Sequence, residues 1–120
     1  MRLFLASYRL GGAGSGLARL VPEPRRAAVV ANATDAWPAA AREWAVRSEM
    51  QMLASVGITA HELDLRDHIG DPEGVRAVLD RSDVVWLRGG NTFVLRSRLA
   101  QSGADAIITE LVRDGRIVYG

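Results

Sequence analysis

Residues Asp83 to Phe93 place the tightest demand on how this chain can fold. Val84-Val85-Trp86-Leu87 is an apolar run of strand length. It ends at Arg88-Gly89-Gly90, and Asn91, a helix-capping residue type, opens a helical pattern at once. A strand that passes straight into a helix through two glycines belongs in a layered α/β structure. Such a junction aims bare backbone N–H groups at whatever sits above the strand's C-terminal end. The group received there is either a phosphate or an oxyanion forming during acyl transfer, and the local residues leave both open.

The rest of the chain repeats the alternation. Arg2 to Ala6 reads as a buried first strand, and Ser7 to Gly16 as a loop carrying Gly11, Gly12, Gly14 and Gly16. Leu17 to Val21 suits a short helix stopped by Pro22 and Pro24, and Arg26 to Ala31 a second buried strand. Asn32 to Trp37 is a loop ending in the capping types Thr34 and Asp35, with Pro38 suited to a first helical turn. The following helix runs to about Val56 with Val46, Met50 and Leu53 on one face. Ile58 to Leu65 is a third strand. Asp71 caps a short helix whose apolar stripe is Val75, Val78 and Leu79. After the glycine pair, a helix from Thr92 to about Gln101 buries Val94, Leu95 and Leu99. Another, Asp105 to Asp114, buries Ile107, Ile108, Leu111 and Val112, and Ile117-Val118-Tyr119 begins a fifth strand. This order predicts one domain over residues 1–120, an open and mostly parallel sheet with helices on both faces. Its ligand-facing end carries Ser7 to Gly16, Asn32 to Trp37, Asp64 to His68 and Arg88 to Asn91.

Composition removes several function classes. Net charge is +1, so there is no electrostatic case for nucleic acid or an anionic membrane surface. All fifteen basic residues are Arg, scattered along the chain, and a coding bias explains that more simply than phosphate recognition. With no Cys, neither disulfides nor a thiolate metal site can form. No apolar stretch is long enough to span a bilayer, and the N-terminus reads as a strand rather than a signal peptide. A cytoplasmic location is expected.

Other chemistry is poorly supported. Gly12-Ala13-Gly14 is followed by Ser15, Gly16 and Leu17, so the dinucleotide fingerprint lacks its third glycine at the required spacing. The glycine loop reads as a flexible surface loop. No Walker A pattern occurs, and no Lys could reach a phosphate. His61 and His68 lack partners at zinc-ligand spacing. His61 fits a partly exposed sheet position, and His68 a solvated loop at the ligand-facing end. Neither metal nor cofactor is expected. Trp37 and Trp44 read as packing on one side of a helix, and Trp86 as core.

The segment Arg88-Gly89-Gly90-Asn91-Thr92-Phe93, with Leu95 after it and Val112-Arg113-Asp114-Gly115-Arg116-Ile117-Val118-Tyr119-Gly120 beyond the next helix, resembles the dipeptidase E family of serine peptidases. The match is specific from Asp83 to Gly120 and rests on element order before that. The resemblance implies a class I glutamine amidotransferase-like fold. In that family a strand like Ile117–Tyr119 runs into a Gly-x-Ser-Ala-Gly nucleophile elbow, with Gly120 at or just before its first glycine. By the same resemblance, Gly89 and Gly90 donate oxyanion-hole N–H groups, Asn91 fixes the turn, and substrates are short peptides with an N-terminal Asp. The residue before the glycine pair is often Gly in the family, whereas here it is Arg88. Its guanidinium either binds a substrate carboxylate or covers the turn.

No Gly-x-Ser-x-Gly surrounds any of Ser7, Ser15, Ser48, Ser55, Ser82, Ser97 or Ser102. The family's catalytic His and acid follow its nucleophile, so neither His61 nor His68 inherits that role. The expectation is the N-terminal portion of a longer enzyme, inactive alone. A sheet stopped at the fifth strand would leave an unpaired apolar edge, which predicts self-association or a complementing C-terminal segment. The alternative is a non-catalytic module that holds a small ligand or a protein on the same turn.

Overall fold

The computed structural model describes residues 1–7 and 9–120. Among these residues five strands form one sheet in the order β1-β5-β4-β2-β3, every neighbouring pair parallel. They are β1 (Arg2–Leu3), β2 (Arg26–Val30), β3 (Thr59–Glu62), β4 (Val84–Leu87) and β5 (Val118–Tyr119). The helices are α1 (Gly14–Leu20), α2 (Ala39–Ala54), α3 (Pro72–Leu79), α4 (Thr92–Ser102) and α5 (Ala104–Arg113).

The sheet separates two cores, as alternating side chains on central strands require. Ala27, Val29, Val84, Trp86 and Val118 pack with Leu17 of α1 and Leu53 of α2. Ala28, Val30 and Val85 pack on the other face with Val75 and Leu79 of α3 and Ile107, Ile108 and Leu111 of α5. Strands β2 and β4 are covered on both sides, which explains why Ala27 to Val30 and Val84 to Leu87 are apolar without a break. The faces follow from right-handed crossovers. Moving β1→β2→β3 puts α1 and α2 on one face, and the reversed path β3→β4→β5 puts α3, α4 and α5 on the other. The reversal falls between β2 and β4, whose outgoing loops part to opposite faces. That is where such sheets open a crevice.

Several elements differ from the sequence reading. β1 is a two-residue edge strand, not a buried one, and Leu5 beyond it is 80% exposed. Among the described residues it pairs with β5 alone, which leaves its other edge without a strand partner. β5 lies between β1 and β4, so the open edges are β1 and β3 rather than the fifth strand. The glycine-rich segment is helical, a 3-10 turn at Gly11–Ala13 leading into α1. Gly14 has a packing reason: a Cβ there would lie 2.6 Å from Val56 Cγ1. Neither Thr34 nor Asp35 caps α2, because Asn32–Thr34 is itself a 3-10 turn and Pro38 takes the cap position. Val94, Leu95 and Leu99 are half-buried only, since α4 lies at the margin of the second core.

Candidate functional site

The end of β4 is held by its neighbours before it reaches the glycines. Leu87 N–H donates to Gly120 O at 2.8 Å, and Arg88 N–H donates to Val30 O at 3.0 Å. Past the glycines, Asn91 N–H donates to Ala33 O at 2.9 Å. Asn91 Oδ1 accepts from the N–H groups of Phe93 and Val94, so it caps α4 as its residue type suggests. The turn is thus pinned at both ends to β2 and the segment after it, and it faces Gly120 across the ladder.

The two glycines are not equivalent. Gly90 has φ +155°, and a Cβ on it would stand 2.7 Å from Ala33 O. It is glycine so that the turn can lie against the Asn32–Thr34 backbone. A Cβ on Gly89 would meet nothing within 4 Å. Among the described residues, neither the Gly89 nor the Gly90 N–H enters a hydrogen bond. Both glycines line a cleft of about 360 Å³ with Trp37, Glu49, Trp86 and Arg88. Two free amide donors beside a cleft can receive an anion or a polarised carbonyl oxygen.

Arg88 lies over this turn. Its Nη1 donates to Gly89 O at 2.9 Å, its Nε stands 3.2 Å from Glu49 Oε1, and its guanidinium carbon lies 5.1 Å from the Trp37 ring centroid. The Nε contact is an ion pair without linear hydrogen-bond alignment. Glu49 also accepts from the Trp86 indole N–H at 2.9 Å. Trp37 therefore belongs to the site and precedes α2, whereas Trp44, on α2, is 61% exposed rather than packed. Trp86 is core, as its strand requires, and a Cβ on Gly120 would run into its six-membered ring.

Beside the turn, at the ends of β2 and β3, lies a polar cluster that the sequence reading missed. Asn32 Nδ2 donates to both Asp35 oxygens at 3.1 Å and to Asp64 Oδ1 at 3.0 Å, while Asn32 Oδ1 accepts from Leu65 N–H. Arg42 and Arg98 reach Asp35 at 3.1 and 2.9 Å. Arg66 reaches Asp64 at 2.7 Å, and Arg42 Nη2 stands 2.8 Å from Glu62. Burial pushes the Asp64 carboxyl up, but hydrogen bonds from the Arg66 side chain, Asn32 and the Arg66 N–H, with the Arg42 charge, more than offset it. They hold Asp64 well below the usual carboxylate range. Three carboxylates face three guanidinium groups, so the charge is spent within the cluster.

His68 is not a solvated loop residue: its Nδ1 sits 3.0 Å from Asp71 Oδ2. His61 lies exposed on the edge strand β3, and neither histidine touches the glycine turn. No group of potential metal ligands occurs among the described residues. A second hollow of about 840 Å³ runs along α2 and β3. Among its side chains Glu43 pairs with Arg47 and Arg66 with Asp64, while Arg42 Nη2 stands 2.8 Å from Glu62 as an ion pair without hydrogen-bond alignment, so its side-chain charges are matched. No helix among the described residues is long and apolar enough to cross a membrane.

Comparison with known proteins bears on the same region. The model for peptidase family S51 matches residues 27–120. The uncharacterized peptidase Lmo0363 of Listeria monocytogenes is 32% identical over 76 residues, covering 62% of this chain and 36% of that protein. The uncharacterized peptidase Lin0382 of Listeria innocua is 33% identical over 79 residues, covering 62% and 35%. A crystal structure of a protein described as a candidate peptidase E, from Listeria monocytogenes EGD-e, superposes with a TM-score of 0.77 at 23% identity. That superposition covers 98% of this chain and 56% of the other, and shows a shared class I glutamine amidotransferase-like fold. The chain spans about a third of the length of the curated relatives it matches.

Proposed function

The chain belongs to peptidase family S51, and from that premise we propose that it carries the oxyanion-binding part of a serine-type dipeptidase site. One observation carries the reading: the Gly89 and Gly90 amides, at the crevice between β2 and β4, are free of hydrogen bonds among the described residues. When a serine attacks a peptide carbonyl, the carbonyl oxygen gains negative charge. Donors already fixed in place stabilise that charge without reorganising, at roughly 3–4 kcal/mol for each donor. In this reading Gly89 and Gly90 supply the donors. Asn91 holds the turn by capping α4 and by its own N–H to Ala33.

The attacking serine is not among these 120 residues, which hold no Gly-x-Ser-x-Gly. In the proposed enzyme it follows Gly120, whose carbonyl already pairs with Leu87 N–H beside the turn. The proposed substrates are short peptides, those with an N-terminal Asp first among them. Donors without nucleophile and base give only weak residual catalysis, so the 120-residue chain is proposed to be inactive alone.

A phosphinic dipeptide analogue tests the site, because its tetrahedral anion imitates the intermediate and needs no serine to bind. Titrated into the ¹⁵N-labelled chain, it should move the Gly89 and Gly90 amide protons downfield, with smaller changes in the Asn32–Asp64 cluster. An unchanged pair of glycine amides at saturating analogue removes the oxyanion reading. Robust hydrolysis of an Asp-dipeptide by the chain alone removes the proposal of inactivity.

A further inference from the structure

The Gly89–Gly90 peptide is the least restrained unit of the turn. Arg88 N–H is fixed to Val30 O and Asn91 N–H to Ala33 O, so the ends cannot move far. Between them the peptide is flanked by two residues without side chains, and Gly89 has open space where a Cβ would be. Such a unit can rotate about its two flanking torsions while its ends stay put. Among the described residues, the one hydrogen bond that holds it comes from a side chain: Arg88 Nη1 to Gly89 O at 2.9 Å.

The Gly89–Gly90 bond is trans, so its C=O and N–H point in opposite directions. Whatever grips the Gly89 oxygen therefore aims the Gly90 N–H. The grip is itself braced: Glu49 Oε1 lies 3.2 Å from Arg88 Nε, and the guanidinium rests on Trp37 at 5.1 Å. Glu49 in turn is tied to the sheet by the Trp86 indole. We propose that Arg88 is a positioning residue: by holding the Gly89 carbonyl it fixes the peptide plane and sets the direction in which the Gly90 N–H is offered. Its value to catalysis rests on the oxyanion reading above, but the orienting effect does not. Arg suits the task because its charge persists at any working pH and its planar fork can serve the carbonyl and Glu49 together.

Residual dipolar couplings in weakly aligned, ¹⁵N-labelled chain measure the direction of each N–H. In Arg88→Gln the Gly90 coupling should move by several times the measurement error, while those of Val84 to Leu87 and Asn91 stay in place. Arg88→Lys should bring the Gly90 value part of the way back, because an ammonium can still donate to the carbonyl. Glu49→Gln covers the case in which Arg88→Gln disturbs folding. Its amide oxygen still accepts from Trp86, but the ion pair to Arg88 is gone, and Gly90 should shift in the same direction by less. Wild-type Gly90 couplings in both Arg88→Gln and Glu49→Gln overturn the proposal. These measurements contain no ligand, so they separate the two ideas. A moved Gly90 N–H with no response to the phosphinate keeps the clamp and loses the oxyanion site. The reverse pattern loses the clamp alone.

Discussion

Two polar regions sit side by side at the C-terminal end of one sheet, and they are opposites. The cluster of Asn32, Asp35, Asp64, Arg42, Arg66 and Arg98 is dense in charge, and its acids and bases answer one another within hydrogen-bonding or ion-pairing distance. The turn at Gly89 and Gly90 has no side-chain charge of its own beyond Arg88, yet it keeps two backbone donors unspent. The contrast lies in what each region leaves over: the cluster matches its charges internally, whereas the turn leaves two backbone donors for a group from outside. The regions depend on each other, because Ala33 in the 3-10 turn next to Asn32 is what Gly90 rests on and what Asn91 bonds.

The largest expected effect comes from breaking the charge-dense side. The Asp35 side chain is only 5% exposed and receives Asn32, Arg42 and Arg98. Asp35→Ala leaves Arg42 and Arg98 without that carboxylate and should cost about 3 kcal/mol. Denaturant unfolding measures it, and a loss under about 1 kcal/mol would mean the cluster is a solvated surface network instead. Acid attacks the same cluster. The folded pKa of Asp64 is depressed, so its contribution is fully present above the usual carboxylate range and is lost as pH falls toward the folded value. Stability should fall between about pH 5 and pH 2. Asp64→Asn should flatten that part of the profile, and an unchanged acid slope in this variant would remove Asp64 from the account.

The turn answers to sterics instead. Gly90→Ala drives a methyl into Ala33 O at a backbone φ of +155°, and should cost about 2 kcal/mol. Gly89→Ala adds a methyl to open space and should change stability by no more than about 0.5 kcal/mol. Equal losses at both positions would erase the asymmetry on which the turn's geometry has been read. Because the two substitutions differ by one residue in the chain, their comparison also controls for any effect on helix α4.

These differences explain what could be read in the sequence. The turn is local: an apolar run, two glycines and a capping Asn lie within a few consecutive residues, each a statement about its own backbone. The sheet was legible for the same reason, since Ala27 to Val30 and Val84 to Leu87 are apolar throughout and central strands must be. The polar cluster was not legible, because Asp35 meets Arg98 across 63 positions and Asn32 meets Asp64 across 32. Nothing in the spacing of those residues announces a shared site; β2 beside β3 brings Asn32 to Asp64, and the packing of α4 on the Asn32–Thr34 turn brings Arg98 to Asp35. The signal that could have found it is Asn32, a polar residue directly after the buried apolar run Ala27 to Ala31. Likewise, β1 looks like a core strand by composition, and its edge position depends on where β5 pairs. Arg88 was read with its two roles open, and the structure places its guanidinium on the Gly89 carbonyl.

A smaller loss than those at Asp35 and Gly90 sharpens the boundary between spent and unspent donors. Asn91 Oδ1 takes the N–H groups of Phe93 and Val94, so the start of α4 is closed by its own cap while the glycines before it are open. Asn91→Ala removes the cap acceptor but keeps the backbone bond to Ala33, and should cost about 1 kcal/mol. Asn91→Asp, an equally good cap type, should cost little. Amide hydrogen exchange resolves where the loss falls. Phe93 and Val94 should exchange faster in Asn91→Ala, because their partner is gone, while Gly89 and Gly90, unbonded in both proteins, should keep their rates. Faster exchange at the glycines as well would mean that the cap and the turn form one unit, and that the free amides owe their placement to α4 rather than to Ala33 and Arg88.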